Sequence, residues 1–256
     1  MNKLKTLCLP SLYLITLAAH PLVDQEIRFL QQFIRPGDLV FDIGANIGKK
    51  TDLYLACNAR VVCVDPQPSS IQTLKERFAG NPSVAIEAVG LAQKIGTLTF
   101  FVCSRAHTIS TFSHEWQQPG CRFSDQGYVW DTPLEVPVTT LDHLITQYGQ
   151  PAFCKIDVEN FEYEVLQGLS QPIKYLSFEF VAEVLHNARK CVEHLAGLGY
   201  TQFNFAIAEQ PQLALSKWVS AQEIIGLIER TAKNNNWQHM SALWGDIYAH
   251  YDGSIR

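Results

Sequence analysis

The sequence lacks the cysteine patterns that staple small domains or hold zinc. Its seven cysteines, an odd number, include no Cys-x-x-Cys pair and no zinc-type spacing with histidine. They lie at positions 8, 57, 63, 103, 121, 154 and 191. We therefore predict free thiols in a reducing compartment. Cys63 and Cys154 lie within apolar runs, where a thiol packs as a small hydrophobic group.

Long runs of one charge are also missing. The chain has 20 Lys and Arg residues against 25 Asp and Glu residues, a net charge of −5. Without a basic stretch, a nucleic-acid surface is disfavoured. Repeats and low-complexity tracts are absent as well. Hydrophobic residues make up 47% and charged residues 18% of the 256 positions, which predicts one large globular domain with local additions.

No apolar stretch near the N-terminus is long enough to span a bilayer. Residues 7–19 follow two lysines and have the outline of a signal peptide. Pro10 interrupts this stretch, however, and Leu17 stands where a cleavage site prefers a small residue. We predict a helical arm over residues 1–36 and a cytoplasmic protein without a transmembrane segment, with export as the alternative.

Apolar runs alternate with amphipathic segments along the rest of the chain. The runs predict strands at 39–44, 59–65, 84–89, 97–103, 153–159, 175–180, 201–208 and 243–250. The periodic segments predict helices at 22–34, 49–57, 68–79 and 182–198, and a further helix ending near Leu169. This alternation indicates an α/β domain over residues 37–256, with a mainly parallel, doubly wound sheet.

Two segments break the alternation. Residues 104–135 are rich in polar and aromatic side chains with little periodicity, and we expect them to form a substrate loop. Three aromatic residues there, Trp116, Tyr128 and Trp130, either stack on an acceptor or anchor the loop. Residues 209–240 are expected to be an insertion that carries a helix.

The end of the first strand has the pattern of a cofactor turn. LVFDIG runs into Gly44-x-x-x-Gly48 and then a helix, whose free N–H groups suit an anion such as a carboxylate. Asp42 precedes the turn, where it can meet an ammonium group, and Asp65 ends the second strand, where it can bind ribose hydroxyls. The alternative is that Asp42 caps the turn and Asp65 starts a loop.

The glycine spacing favours a methyl donor over a dinucleotide. A dinucleotide fingerprint needs three glycines, and here Ala45, Asn46 and Ile47 fill the interval. A nucleotide-dependent oxidoreductase is therefore the second prediction. A degenerate domain that serves a partner is the third.

A second group of polar residues lies in KIDVENFE. In an extended strand, Lys155, Asp157 and Glu159 share one side, and the strand should lie beside the first one. Asp157 would then lie near the reacting group, as a base, an orienting group or a metal ligand. The alternative is a buried ion pair of Lys155 and Asp157, with Glu159 capping the next helix. Three histidines, His107, His114 and His186, are weaker candidates for the base.

Together these motifs resemble the FkbM-like methyltransferases. The resemblance lies in FDIGANIGKKT, VDPQP, GTLTFF followed by STF, VTTLDHL, KIDVENFEYEVLQGL and the closing WGDIYA. It covers roughly residues 22–208 and the last strand. It implies a Rossmann-like sheet of seven strands with an antiparallel last strand, and S-adenosylmethionine as donor. The expected acceptor is an oxygen of a small molecule, sugar or lipid.

The resemblance also implies the residues of the site. Those expected to bind the donor are Asp42, Gly44, Ala45, Asn46, Gly48, Thr51, Asp65, Pro66, Glu87, Ala88, Ser110 and Asp157. Lys155, Asp157 and Glu159 are expected at the reaction centre, and Thr111 either approaches the ligands or serves a turn. No metal ligand set is predicted, although a divalent metal and a homo-oligomer stay open.

Two positions depart from the family pattern. The family has glycine after the Asp-Val-Glu triplet, where this chain has Asn160. Asparagine tolerates a left-handed turn better than other residues with a side chain, so the backbone can be kept. Lys50 stands where an aromatic residue is common, which affects the acceptor more than the cofactor.

Overall fold

The computed structural model describes residues 21–234 and 244–253. Its helices are α1 Pro21–Leu30, α2 Lys49–Ala56, α3 Pro68–Arg77, α4 Arg122–Asp125, α5 Leu141–Tyr148, α6 Glu162–Leu166, α7 Leu185–Gly197 and α8 Ala221–Asn234. Its strands are β1 Leu39–Ile43, β2 Arg60–Val64, β3 Val84–Glu87, β4 Gly90–Leu91, β5 Gly96–Val102, β6 Thr132–Thr139, β7 Phe153–Ile156, β8 Tyr175–Val181, β9 Gln202–Ile207 and β10 Trp244–His250. Most of the predicted N-terminal arm and the end of the predicted insertion lie outside the described residues.

A seven-stranded sheet forms the centre of the domain, in the order β3-β2-β1-β7-β8-β10-β9. Strands β3, β2, β1, β7 and β8 are mutually parallel, whereas β10 runs antiparallel to both β8 and β9. The order reverses between β1 and β7, which opens a crevice at the carboxyl ends of these strands. This arrangement confirms the predicted Rossmann-like fold.

Helices cover both faces of this sheet. On one face, α1, α2 and α3 pack against β1, β2 and β10 around a core that includes Phe33, Tyr54 and Leu74. On the other face, α5, α6, α7 and α8 enclose a larger core around Phe41 and Phe178. Helix α7 buries residues at the spacing of one helical face, because Ala188, Cys191, Val192 and Leu195 recur every three or four positions.

A second, three-stranded sheet in the order β4-β6-β5 corrects part of the predicted substrate loop. The predicted extension at 97–103 is β5, but its antiparallel partner β6 begins at Thr132, inside the segment expected to be irregular. Strand β6 was overlooked because prolines and exposed polar residues interrupt its apolar pattern. Its buried residues Val136 and Val138 pack beside Phe100 and Phe112.

Two predicted boundaries are also wrong. Helix α1 ends at Leu30 rather than at residue 34, because Gln32 and Phe33 donate to carbonyls three residues back in a tighter turn. Strand β7 ends at Ile156, and Glu159 lies in a left-handed turn (φ 57°) instead of continuing the strand. Among the described helices, none combines the length and apolar character needed to cross a bilayer.

Candidate active site

A cleft of about 720 Å³ lies over the carboxyl ends of β1, β2, β7 and β8. This volume is within the range of small-molecule sites. Ten of the residues predicted for the site line it: Asp42, Gly44, Ala45, Asn46, Asp65, Pro66, Ser110, Lys155, Asp157 and Glu159. The strand order therefore brings the two predicted motifs together, since β1 and β7 are neighbours.

The glycines of the first turn make room for the protein's own chain. A side chain at Gly44 (φ +81°) would place its Cβ 1.8 Å from the carbonyl oxygen of Asp157. One at Gly48 (φ +80°) would meet Phe78 and Leu74 at 2.5 to 2.9 Å. Both glycines are therefore needed for packing within the chain, against the turn after β7 and against α3 and Phe78. The close approach of the two motifs depends on Gly44.

Asp65 is built into a cradle at the end of β2. Its two carboxylate oxygens accept backbone N–H groups of Asn46 and Gln67, each at 2.8 Å. Only 6% of Asp65 is exposed, and this burial raises the pKa of Asp65 to about 6, although both N–H groups act in the opposite direction. The hydroxyl of Ser70 also donates to this carboxylate, which leaves room for one further hydroxyl donor among its acceptor sites. Nearby, the side-chain oxygen of Asn46 is buried and has no partner among the described residues.

Asp42 is a second buried carboxylate at the same end of the cleft. It is 3% exposed and accepts the hydroxyl of Thr51 at 2.6 Å. Burial raises the pKa of Asp42 to about 6, while Thr51 and then Lys155 oppose the shift. Thr51 and Gly48 do not line the cleft themselves but lie behind its lining. From there, the hydrogen bond of Thr51 fixes the orientation of the Asp42 carboxylate. A bound ammonium group would favour the charged carboxylate.

Besides Gly48 and Thr51, two further predicted residues, Glu87 and Ala88, lie outside the cleft lining as the described residues define it. Ala88 is exposed, and the carboxylate of Glu87 accepts hydrogen bonds from Gln147 and Tyr148 of α5. Val89 and the residues after it line the cleft instead. Strand β3 ends at Glu87, two residues before the end predicted for it at residue 89.

Lys155 holds the acidic residues of the site together. Its buried ammonium lies 2.6 Å from Asp246 of β10 and 3.2 Å from Asp157. Burial disfavours the ammonium, but these two carboxylates outweigh that effect and raise the pKa of Lys155 well above its ordinary value. The buried ion pair weighed as an alternative is thus present. Asp246 was not singled out in the sequence.

Asp157, Glu159 and Glu179 form a cluster of carboxylates on the other side of Lys155. Each offers an oxygen within 4.8 Å of the other two. Burial, and then the negative charges of Asp157, Glu159 and Glu162, raise the pKa of Glu179 well above its ordinary value. Glu179 therefore tends to keep a proton, with which it can donate a hydrogen bond. Sequence reasoning missed Glu179, although it is an acidic residue within the apolar strand YLSFEF.

The turn after β7 presents Asp157 and Glu159, and Glu162 stabilises it from within. The carboxylate of Glu162 accepts the N–H groups of Val158 and Asn160, both at 3.2 Å. Burial raises the pKa of Glu162 to about 7. The alternative in which Glu159 caps the next helix is not seen, because that helix begins after Phe161 without a side-chain cap, and Glu162 bonds the turn before it. Asn160 adopts the left-handed conformation (φ 68°), as its tolerance of that region predicts.

The segment before β6 folds over the cleft and contacts the same turn. The hydroxyl of Thr111 donates to the carbonyl of Glu159 at 2.6 Å, and the indole N–H of Trp116 donates to the Glu159 carboxylate at 3.1 Å. Ser110 lines the cleft and accepts the N–H of Cys103 at 3.2 Å. Thr111 therefore serves the turn, which was one of its two expected roles.

Of the three histidines considered as a base, one lines the cleft and two do not. His107 lines the cleft, on the side of Asp65. His114 packs against the ring of Phe101, and His186 contacts Glu115 at 3.1 Å. Neither of the last two belongs to the lining.

Aromatic side chains close the end of the cleft near β8 and β10. Trp116 and Tyr128 line it, as do Phe123 and Trp244, which the sequence did not mark. Trp130 lies behind them and donates to the carbonyl of Ile109 at 2.7 Å, so it anchors the loop. Because Asp65 follows β2 while Trp244 begins β10, the lining runs across the sheet from a polar end to an aromatic end.

A profile of the methyltransferase FkbM domain matches residues 42–222 of the chain. Hexuronic acid methyltransferase AglP of Haloferax volcanii is 24% identical over 162 residues, which are 60% of this chain and 59% of that protein's length. A precorrin-6y C5,15-methyltransferase from Geobacter metallireducens superposes with a TM-score of 0.44 and 12% identity, over 90% of this chain and 88% of that one. An S-adenosylmethionine-dependent O-methyltransferase from Thermotoga maritima gives 0.43 and 10%, over 96% and 74%.

Proposed function

Because the chain belongs to the FkbM methyltransferase family, we propose that it transfers a methyl group from S-adenosylmethionine to a hydroxyl oxygen of a sugar or similar small molecule. Membership also favours the methyl donor over the nicotinamide alternative. The observation that carries the proposal is the Asp65 cradle, a carboxylate fixed by two backbone N–H groups beside the glycine turn.

The residues at the polar end suit this donor. Asp65 would accept a ribose hydroxyl, and the unpartnered oxygen of Asn46 offers a further acceptor. Asp42 would bind the ammonium of the methionine moiety, which relieves the cost of its burial. Bound there, S-adenosylmethionine supplies a methyl group on a positively charged sulfur.

The reaction centre would lie at Asp157, in the middle of the cleft. Its side chain is 39% exposed, so it can reach a ligand while Lys155 holds one of its oxygens at 3.2 Å. Asp157 would accept the proton of the acceptor hydroxyl as its oxygen bonds to the methyl carbon and the methyl–sulfur bond breaks, with S-adenosylhomocysteine as the product that leaves. The lining of the cleft would align the acceptor with the donor and exclude water. Alignment and exclusion of water supply much of the rate acceleration of an in-line displacement.

A sugar fits the aromatic end of the cleft. Tyr128 and Trp244 are partly exposed and offer flat faces, while Glu159 and Glu179 offer hydrogen-bonding groups for several hydroxyls. The name of the Haloferax relative also points to a sugar acid as its acceptor. A divalent metal is not required by this scheme.

Calorimetric titration with S-adenosylhomocysteine, beside NAD, tests the cofactor. We expect micromolar binding of the former alone, its loss in Asp65→Ala, and its retention in the exposed control Asp24→Ala. Asp157→Asn should keep this affinity while methyl transfer to a panel of sugars falls at least about 100-fold, the usual contribution of a general base. Binding of NAD alone, or equal turnover of Asp157→Asn, would refute the proposal.

A further inference from the structure

The side chain at position 160 does more than permit the turn. Asn160 is 5% exposed, and its amide nitrogen donates to the hydroxyl oxygen of Ser113 at 3.1 Å and to the carboxylate of Glu115 at 3.3 Å. Its amide oxygen accepts from Asn187 of α7 at 2.9 Å. One side chain thus joins helix α7, the segment 111–116 and the turn 157–160 after β7, which carries Asp157 and Glu159 and is called the catalytic turn below.

The backbone alone does not need this amide. A left-handed residue at φ 68° is supplied at least as well by glycine, which forms no side-chain hydrogen bond. Three hydrogen bonds of a buried amide therefore represent an added interaction, specific to the residue in this chain.

The segment that Asn160 contacts carries a wall of the cleft. Ser113, which accepts from Asn160, also accepts the backbone N–H of Trp116 at 3.2 Å. Trp116 is 1% exposed to solvent and lines the aromatic end, where the acceptor is proposed to bind. Any displacement of Ser113 is transmitted to Trp116 through this bond.

We propose that Asn160 is a positioning residue that latches the segment 111–116 to the catalytic turn and thereby sets the size of acceptor that the cleft admits. The selectivity part rests on the proposed function, whereas the latch does not. A second contact, from the hydroxyl of Thr111 to the carbonyl of Glu159, keeps the segment attached when the latch is removed. Loss of Asn160 therefore loosens the wall without detaching it.

Asn160→Gly is the sharpest variant, because it keeps the backbone conformation and removes only the amide. Asn58→Gly is the matched control, since Asn58 is also left-handed (φ 59°) but is exposed in the turn between α2 and β2. Asn160→Asp adds a second test, because a carboxylate there would face Glu115 and repel it.

Hydrogen exchange measures the latch directly. We expect the amides of residues 113–118 to exchange about tenfold faster in Asn160→Gly and Asn160→Asp, the effect of losing one or two net hydrogen bonds. The Asn58→Gly control should exchange like the wild type there. Unchanged exchange in both Asn160 variants would overturn the latch.

Steady-state kinetics with acceptors of graded size measure the selectivity. For Asn160→Gly, we expect the ratio of kcat/KM between the largest and smallest acceptors to rise at least about fivefold, through KM, with unchanged affinity for S-adenosylhomocysteine. An unchanged ratio despite faster exchange would overturn the selectivity. If the wild type transfers no methyl group at all, the proposed function fails together with the selectivity, while the exchange rates still decide the latch.

Discussion

The buried carboxylate of Asp42 should make the ligand-free protein less stable as the pH rises. Its folded-state pKa of about 6 exceeds the ordinary value of 3.8. Between these two values the folded state holds a proton that the unfolded chain has released, so stability decreases as the pH rises from about 4 to 6. A shift of about 2 pKa units corresponds to a full cost on the order of 3 kcal/mol above pH 6.

Asp42→Asn removes this cost while leaving an oxygen for the hydroxyl of Thr51, which lies 2.6 Å away. The variant should gain stability over the wild type between pH 4.5 and 7.5, on the order of 2 kcal/mol, because the wild type has already lost about 1 kcal/mol at pH 4.5. It should also lose the ammonium contact and hence much of its affinity for S-adenosylmethionine. Urea unfolding of both proteins at several pH values gives the difference directly.

Only the change with pH is diagnostic, because the substitution also has a constant effect on stability. The exposed residue Asp24 provides the control, since Asp24→Asn alters the same chemical group in solvent. If the stability difference between Asp42→Asn and the wild type is the same at pH 4.5 and 7.5, the reasoning about Asp42 is refuted.

Three further variants test the packing of the site, each by urea unfolding. Lys155→Met should cost about 3 to 5 kcal/mol, because it leaves buried carboxylates uncompensated, and Asp246→Leu in addition should recover part of it; a cost below about 1 kcal/mol would contradict the ion pair. Gly44→Ala should cost at least about 3 kcal/mol. The control Gly37→Ala, with no described atom within 4 Å, should cost about 1 kcal/mol, and equal costs would contradict the close contact. Phe33→Ala should cost about 3 to 5 kcal/mol because the ring stacks in the core, and a cost near zero would show that the turn after α1 is not docked there.

The central sheet could be predicted from the sequence because its strands are continuous apolar runs separated by amphipathic helices. Residues 39–43 and 60–64 show this pattern clearly. The polar end of the cleft could be predicted as well, because Asp42 and Asp65 lie at the ends of these two runs. Local pattern and tertiary structure agree at these positions.

Features that depend on contacts between distant parts of the chain could not be predicted from the sequence. Strand β6 forms because β5 pairs with it, although its own alternation is weak. Asp246 became part of the site through the position of β10, which its surrounding residues do not reveal. The role of Glu162 depends on a turn that departs from the strand predicted for residues 153–159.

The position of β10 has a consequence for the order in which the molecule is made. Strand β10 lies between β8 and β9, and it carries Asp246, which is separated from Lys155 by 91 residues. On a ribosome, β9 emerges before the strand that it pairs with, and Lys155 and Asp157 emerge long before Asp246. The central sheet therefore cannot close, and Lys155 cannot meet Asp246, until β10 has emerged.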